Sequence, residues 1–126
     1  TKTIHMAEDY FANGGLTEGE LITRICFEIP SKGTYLKHTR ASSTDAVVGV
    51  LVSRFEDRCR VAIVGAQRVA FLCPALEAAL GTRFHQDVYE RNHIPDDMFI
   101  HRDDASLDYQ LNLVEVLCKK AITSCA

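Results

Sequence analysis

The chain has 126 residues, 47% hydrophobic and 25% charged, with a formal net charge of -3. That is enough for one core and too little for two, in the composition range of an ordinary globular domain. The acidic balance excludes nucleic acid as the main partner, because phosphate binding needs a dense basic surface, and no apolar run reaches the ~18 residues of a membrane span.

Taken in chain order, Asn13-Gly14-Gly15 is the first turn signal, since glycine tolerates positive φ. Residues 20–29 alternate: Ile25, Phe27 and Ile29 point one way, Arg24, Cys26 and Glu28 the other. Period two predicts a half-buried strand, ended by Pro30. Ser31-Lys32-Gly33 follows as a loop. Two apolar runs, near 45–55 and 59–66, predict an antiparallel hairpin turning at Glu56-Asp57-Arg58. Pro74 suits the first helical position and Gly81 the residue after the end, so a helix is predicted over 74–81. A second helix is predicted near 84–92, stopped by Pro95, and an acidic loop over 96–104. The last helix is predicted over 106–122, with Ser106 as N-cap and Leu107, Leu111, Val114, Leu117, Cys118 and Ile122 on one buried face. Strands first and helices after predict an α+β fold: a three- to four-stranded antiparallel sheet covered on one face by about three helices.

Candidate chemistry is sparse. The five histidines, His5, His38, His85, His93 and His101, include no i, i+4 pair that would face a metal from one helix. Asp96, Asp97, Asp103 and Asp104 lack the alternating ligands and glycine of an EF-hand and read as a solvated acidic loop. Cys26, Cys59, Cys73, Cys118 and Cys125 form no C-x-x-C pair, which fits free thiols in a reducing cytoplasm. No basic-then-apolar leader opens the chain. No nucleophile elbow, phosphate-binding loop or dinucleotide fingerprint is present, so no self-contained catalytic machinery is expected. The polar patch Lys37, His38, Arg40 and Asp45, just before the first apolar run, is the most informative cluster. Read on its own residues, Lys37 is a solvated lysine at a strand start, and Arg40 and Asp45 pair on the surface.

Larger strings add to this. Tyr35, Lys37, Arg40 and Asp45 precede Val47-Val48-Gly49-Val50. Then come Arg60-Val61-Ala62-Ile63-Val64-Gly65, Glu77-Ala78-Ala79-Leu80-Gly81, and Ser106-Leu107-Asp108-Tyr109-Gln110 running to Lys119-Lys120-Ala121. In order and spacing they resemble the C-terminal domain of the FAD-binding (medium) subunit of the molybdenum hydroxylases, the family of carbon monoxide dehydrogenase and xanthine dehydrogenase. The stretch from Glu8-Asp9-Tyr10-Phe11 to Ile29-Pro30 resembles the segment that enters this domain from the FAD-binding part. Gln110 departs from the family, which has arginine there, and the region from Val69 to Leu72 replaces one richer in proline and arginine.

The resemblance implies residues 1–30 as a lead-in segment plus first strand, and 31–126 as the C-terminal α+β domain, together one compact domain. It implies an accessory role in a cytoplasmic oxidoreductase: covering the flavin and mediating subunit contacts while electrons pass from iron–sulfur clusters to FAD. Implied partners are the FAD-binding N-terminal part of the same subunit, a molybdopterin subunit and a two-cluster iron–sulfur subunit. Lys37 would lie at the edge of the flavin ring, where a cation favours the anionic reduced form. Tyr35 would pack on the flavin or a neighbouring subdomain, and Arg40 and Asp45 would orient the lysine or touch the cofactor. The glycine-rich loops that hold the pyrophosphate lie upstream in that family, so this chain alone is expected to bind FAD weakly or not at all. The alternative is a free-standing interaction or dimerisation module with the same fold and no flavin, since fold does not fix function.

Overall fold

The computed structural model describes residues 1–40 and 46–126. Its centre is the predicted hairpin. Strand β2 (Val48–Arg54) pairs antiparallel with β3 (Cys59–Val64), closed by a turn in which the Phe55 N–H donates to the Arg58 carbonyl at 2.8 Å. Strand β1 (Lys32–His38) pairs antiparallel with the other edge of β2. A two-residue strand, β4 (Phe71–Leu72), pairs with β3. The sheet is a four-stranded antiparallel meander in the order β1-β2-β3-β4.

Alternation sets the two faces. Register puts Leu36 opposite Val50 and Ile63, and Thr34 opposite Val52 and Val61. Val48, Val50, Val52, Val61 and Ile63 are fully buried. The cover on this face is α3 (Leu107–Cys125) over β1 and β2, with α2 (Pro74–Thr82) against β3. From α3 come buried Val114, Cys118, Ala121, Ile122 and Cys125, and from α2 come Leu76 and Leu80.

Local chemistry fixes the helix ends. Ser106 caps α3, its Oγ accepting from the Tyr109 N–H at 3.2 Å. At the other end the Lys32 ammonium donates to the Ala126 carbonyl, and Arg54 Nη1 donates to the Cys125 carbonyl at 3.5 Å, cations where the helix dipole favours them. The Cys125 thiol donates to Thr34 Oγ1 at 3.3 Å, tying the same turn to β1. Pro74 occupies the first turn of α2 as expected.

Several expectations change. Residues 20–29 form no strand: Ile25, Phe27 and Ile29 are 77–83% exposed. Period-two alternation makes a strand only when an edge receives it, and among the described residues no strand pairs there. Ahead of it lies only a short helix, α1 (Ala7–Ala12), with no buried residue. The helix expected over 84–92 is instead two 3₁₀ turns, Gln86–Val88 and Arg91–His93. Imidazole nitrogens of His85 and His93 accept the Asp87 and Glu90 N–H groups there, favouring tight turns. Gly81 lies inside α2, whose C-cap is Arg83. Leu107 is exposed at the first turn of α3, while Gln110 is buried.

Of the five thiols, Cys26 is exposed and the other four are buried. Burial pushes the Cys73 thiol up to about 12, and drives Cys118 and the Tyr89 phenol well above their ordinary values. These groups stay neutral in the fold but ionise in the unfolded chain, for a thiol near pH ~8.5. Their contribution is therefore complete below that pH and is lost as pH rises above it. The denaturant midpoint is expected to fall steadily above about pH 9. At neutral pH a disulfide reagent should titrate one thiol rapidly, and Cys26→Ser should abolish that phase. Equally fast reaction of a second thiol would show that the sheet–helix interface opens.

Candidate functional site: the helix-free face of the sheet

Residues of the opposite alternation form the sheet's other face. Tyr35, Leu51, Ala62 and Leu72 stand in one row across all four strands. The next row is Lys37, Gly49 and Val64, and Gly33, Ser53 and Arg60 form a third. Neither α2 nor α3 covers this side. Tyr35 is 50% exposed and Leu51 39%, whereas their neighbours Val50 and Val52 are fully enclosed.

Gly49 shapes the platform. A Cβ built on it would lie 2.5 Å from Val64 Cγ2 and 2.6 Å from Tyr35 Oη. The tyrosine ring therefore leans diagonally across Gly49, presenting an aromatic surface next to Val64, Leu51 and Leu72, with Lys37 on the strand beside it. No carboxylate occurs in the three rows. Arg60 is already engaged, its Nη1 at 3.2 Å from Glu77 Oε2. The other Glu77 oxygen accepts the Val61 N–H at 2.9 Å, just past the short β4, while the Val61 carbonyl accepts the Cys73 N–H at 3.0 Å. The face is thus a half-apolar platform with the exposed ammonium-bearing side chain of Lys37 at its border.

The four residues singled out from sequence separate here. Tyr35 and Lys37 share the open face. Arg40, exposed beyond the end of β1, acts on Asp104 instead. Asp104 is gripped by Arg102 through Nε at 2.8 Å and Nη2 at 2.9 Å, which holds its carboxyl down at about 2, with the Arg40 charge adding to the effect. Asp45 lies outside the described residues.

His38 is named in that polar patch, but the sequence reading gives it no role of its own. It points to the helix side, and its Nε2 lies 3.1 Å from Tyr109 Oη on α3. Alternation from Leu36 was the signal that could have placed it there. Gln110, where the resembling family has arginine, donates from Nε2 to the Ala105 carbonyl at 3.1 Å, and its buried Oε1 has no partner among the described residues.

Two shallow hollows flank the β2–β3 turn. One, about 230 Å³, lies among Arg54, Phe55, Leu80 and Phe84; the other, about 590 Å³, lies among Glu28, Ile29, Phe55 and Arg58. Neither touches Tyr35 or Lys37. Among the described residues no cluster of three His, Cys, Asp or Glu could hold a metal, and no helix is long and apolar enough to cross a membrane.

No protein-family model matches the chain, and neither a curated protein nor a solved structure matches it.

The Gly49 contact can be tested directly. Gly49→Ala should cost about 1–3 kcal/mol in urea unfolding, because the new methyl collides with Val64 and the tyrosine ring. Adding Val64→Ala should recover part of that loss. A neutral Gly49→Ala would mean the ring does not lie over residue 49.

Proposed function

We propose that this chain is the accessory α+β domain of an FAD-dependent oxidoreductase subunit of the molybdenum hydroxylase type, covering a flavin held mainly by another part of that subunit. One observation carries the reading: Tyr35 and Lys37, the two family-matched residues with the clearest flavin roles, emerge together on the helix-free face of the sheet. The observed four-stranded antiparallel sheet with helices on one side is also the fold the resemblance implies.

The fit is that of a lid. The platform offers an aromatic ring, aliphatic side chains and one cation, all on an open surface rather than in a cavity. A planar heteroaromatic ring can lie against such a surface through one edge or face. FAD supplies two-electron and one-electron redox chemistry when bound. This chain's part is to exclude water from one side of the ring and to set a positive charge near its border. Lys37 favours whatever negative charge develops there, since a nearby cation stabilises the anionic form of an ionising group. Arg40 and Asp45 keep the supporting roles that the resemblance implies for them. Contacts to the molybdopterin and two-cluster iron–sulfur subunits, and a cytoplasmic setting, belong to the same proposal.

Two measurements test it. Fluorescence titration of the isolated chain with FAD should show weak binding or none; stoichiometric submicromolar binding would place the cofactor cradle within these residues. In the assembled flavoprotein, Lys37→Gln should lower the flavin midpoint potential and shrink the anionic semiquinone spectrum, with the protein still folded. An unchanged potential would remove Lys37 from the site.

A further inference from the structure

We propose that residues 22–29 of one copy of this chain add as a fifth strand to the β1 edge of a second copy, in a reciprocal exchange that makes a dimer. This goes beyond the flavin reading and does not depend on it.

The first observation is surface. A compact monomer of 14.0 kDa exposes about 6,700 Å², while this chain exposes 8689 Å², roughly 2,000 Å² more. A standard interface takes about 800 Å² from each partner, so the excess reaches the range of obligate dimers. Much of it lies in the N-terminal arm, where Ile25, Phe27 and Ile29 stand 77–83% exposed.

The second observation is form. Residues 21–30 form neither helix nor strand, and Ile25, Phe27 and Ile29 recur at every second position, the pattern a sheet edge receives. In this copy the segment does not pair with its own β1. The Ser31 N–H donates to the Arg54 carbonyl at 2.8 Å, and Glu28 pairs with Arg58. The arm therefore leaves beneath the β2–β3 turn, away from its own edge strand.

The third observation is the socket. β1 is a seven-residue edge strand with its outer side unpaired among the described residues, and open edges are templates for pairing with another chain. Above it runs a flank of α3. Tyr109, Leu113, Val116 and Leu117 recur at three and four residues, and the Tyr109–His38 contact sets that flank over β1. Val116 is 48% exposed and Tyr109 37%. A strand added to β1 would tuck Ile25, Phe27 and Ile29 under this flank. Its other row, with Arg24 and Glu28, would continue the open face beside Lys37 and leave the platform uncovered.

The pairing segments do not repel: residues 22–29 are neutral, with Arg24 and Glu28, and β1 carries Lys32 and Lys37 and no acid. Reciprocal exchange about a two-fold axis closes the assembly and satisfies both arms at once.

Sedimentation velocity on the full chain at micromolar concentration tests the proposal. The native chain should sediment at twice 14.0 kDa. Phe27→Asp, in a segment outside the core, should keep the circular dichroism of the fold and weaken dimerisation by at least ~100-fold, as expected for loss of a buried aromatic anchor. Val116→Glu, on the α3 flank, should weaken it similarly, and Val69→Asp, at an exposed site in the β3–β4 turn, should not. A monomeric native chain, or a dimer that survives Phe27→Asp, would overturn the proposal. Loss with Phe27→Asp but not Val116→Glu would overturn the β1 edge as the socket.

Discussion

The structure depends on α3 lying across β1 and β2 with a single row of side chains beneath it. Val48, Val50 and Val52 have no solvent contact, and the helix meets them with Val114, Cys118, Ala121, Ile122 and Cys125. Each such valine or isoleucine contributes about 1.5–3 kcal/mol by leaving water. Because strand alternation is strict, this burial fixes the register of β1, β2 and β3 together. A slip by one residue would send the valines to solvent and Tyr35, Lys37 and Leu51 under the helix. The polar ties at the end of α3, from Lys32, Arg54 and Thr34, keep the helix over the sheet edge where that register is read.

One-sided burial is also what creates a surface able to act. With both helices spent on one face, the other must be solvated or covered by something outside the chain. It has neither the charge of an ordinary solvated face nor the enclosure of a core. Gly49 lets Tyr35 and Val64 close together into a low relief instead of standing apart. Lys37 gives that relief a sign. The proposed flavin contact uses a platform that the packing of the opposite face had to leave open, and strand addition at β1 would extend it without occluding it.

The hairpin, α2 and α3 were legible because their patterns are long and agree with local chemistry: two valine-rich runs about a charged turn, Pro74 at a helix start, Ser106 at another. The pairing of β1 was not spelled out in advance, since Tyr35 and Leu36 read equally well in a loop until β2 supplies the ladder. β4 is two residues long and carries no periodicity of its own. The failure at residues 20–29 is more instructive. The alternation at Ile25, Phe27 and Ile29 is clear, but alternation reports only fitness for an edge, and no described strand pairs with this segment in the same copy. At 84–92 the imidazoles of His85 and His93 accept nearby backbone N–H groups within 3₁₀ turns, a local competition that the stop at Pro95 did not reveal. In the candidate site, Tyr35 and Lys37 share a face by simple parity. Arg40 falls outside that pair because β1 ends at His38, a boundary that no local signal in the sequence marks.

The orientation of the sheet is the claim on which the rest stands, and solvent paramagnetic relaxation reads it residue by residue. With a soluble gadolinium chelate, the side-chain signals of Tyr35 and Leu51 should broaden strongly, while those of Val50, Val52 and Ile63 stay sharp. Strong broadening of Val50 with protection of Leu51 would mean that the helices cover the opposite face, and the platform bearing Tyr35 and Lys37 would not exist.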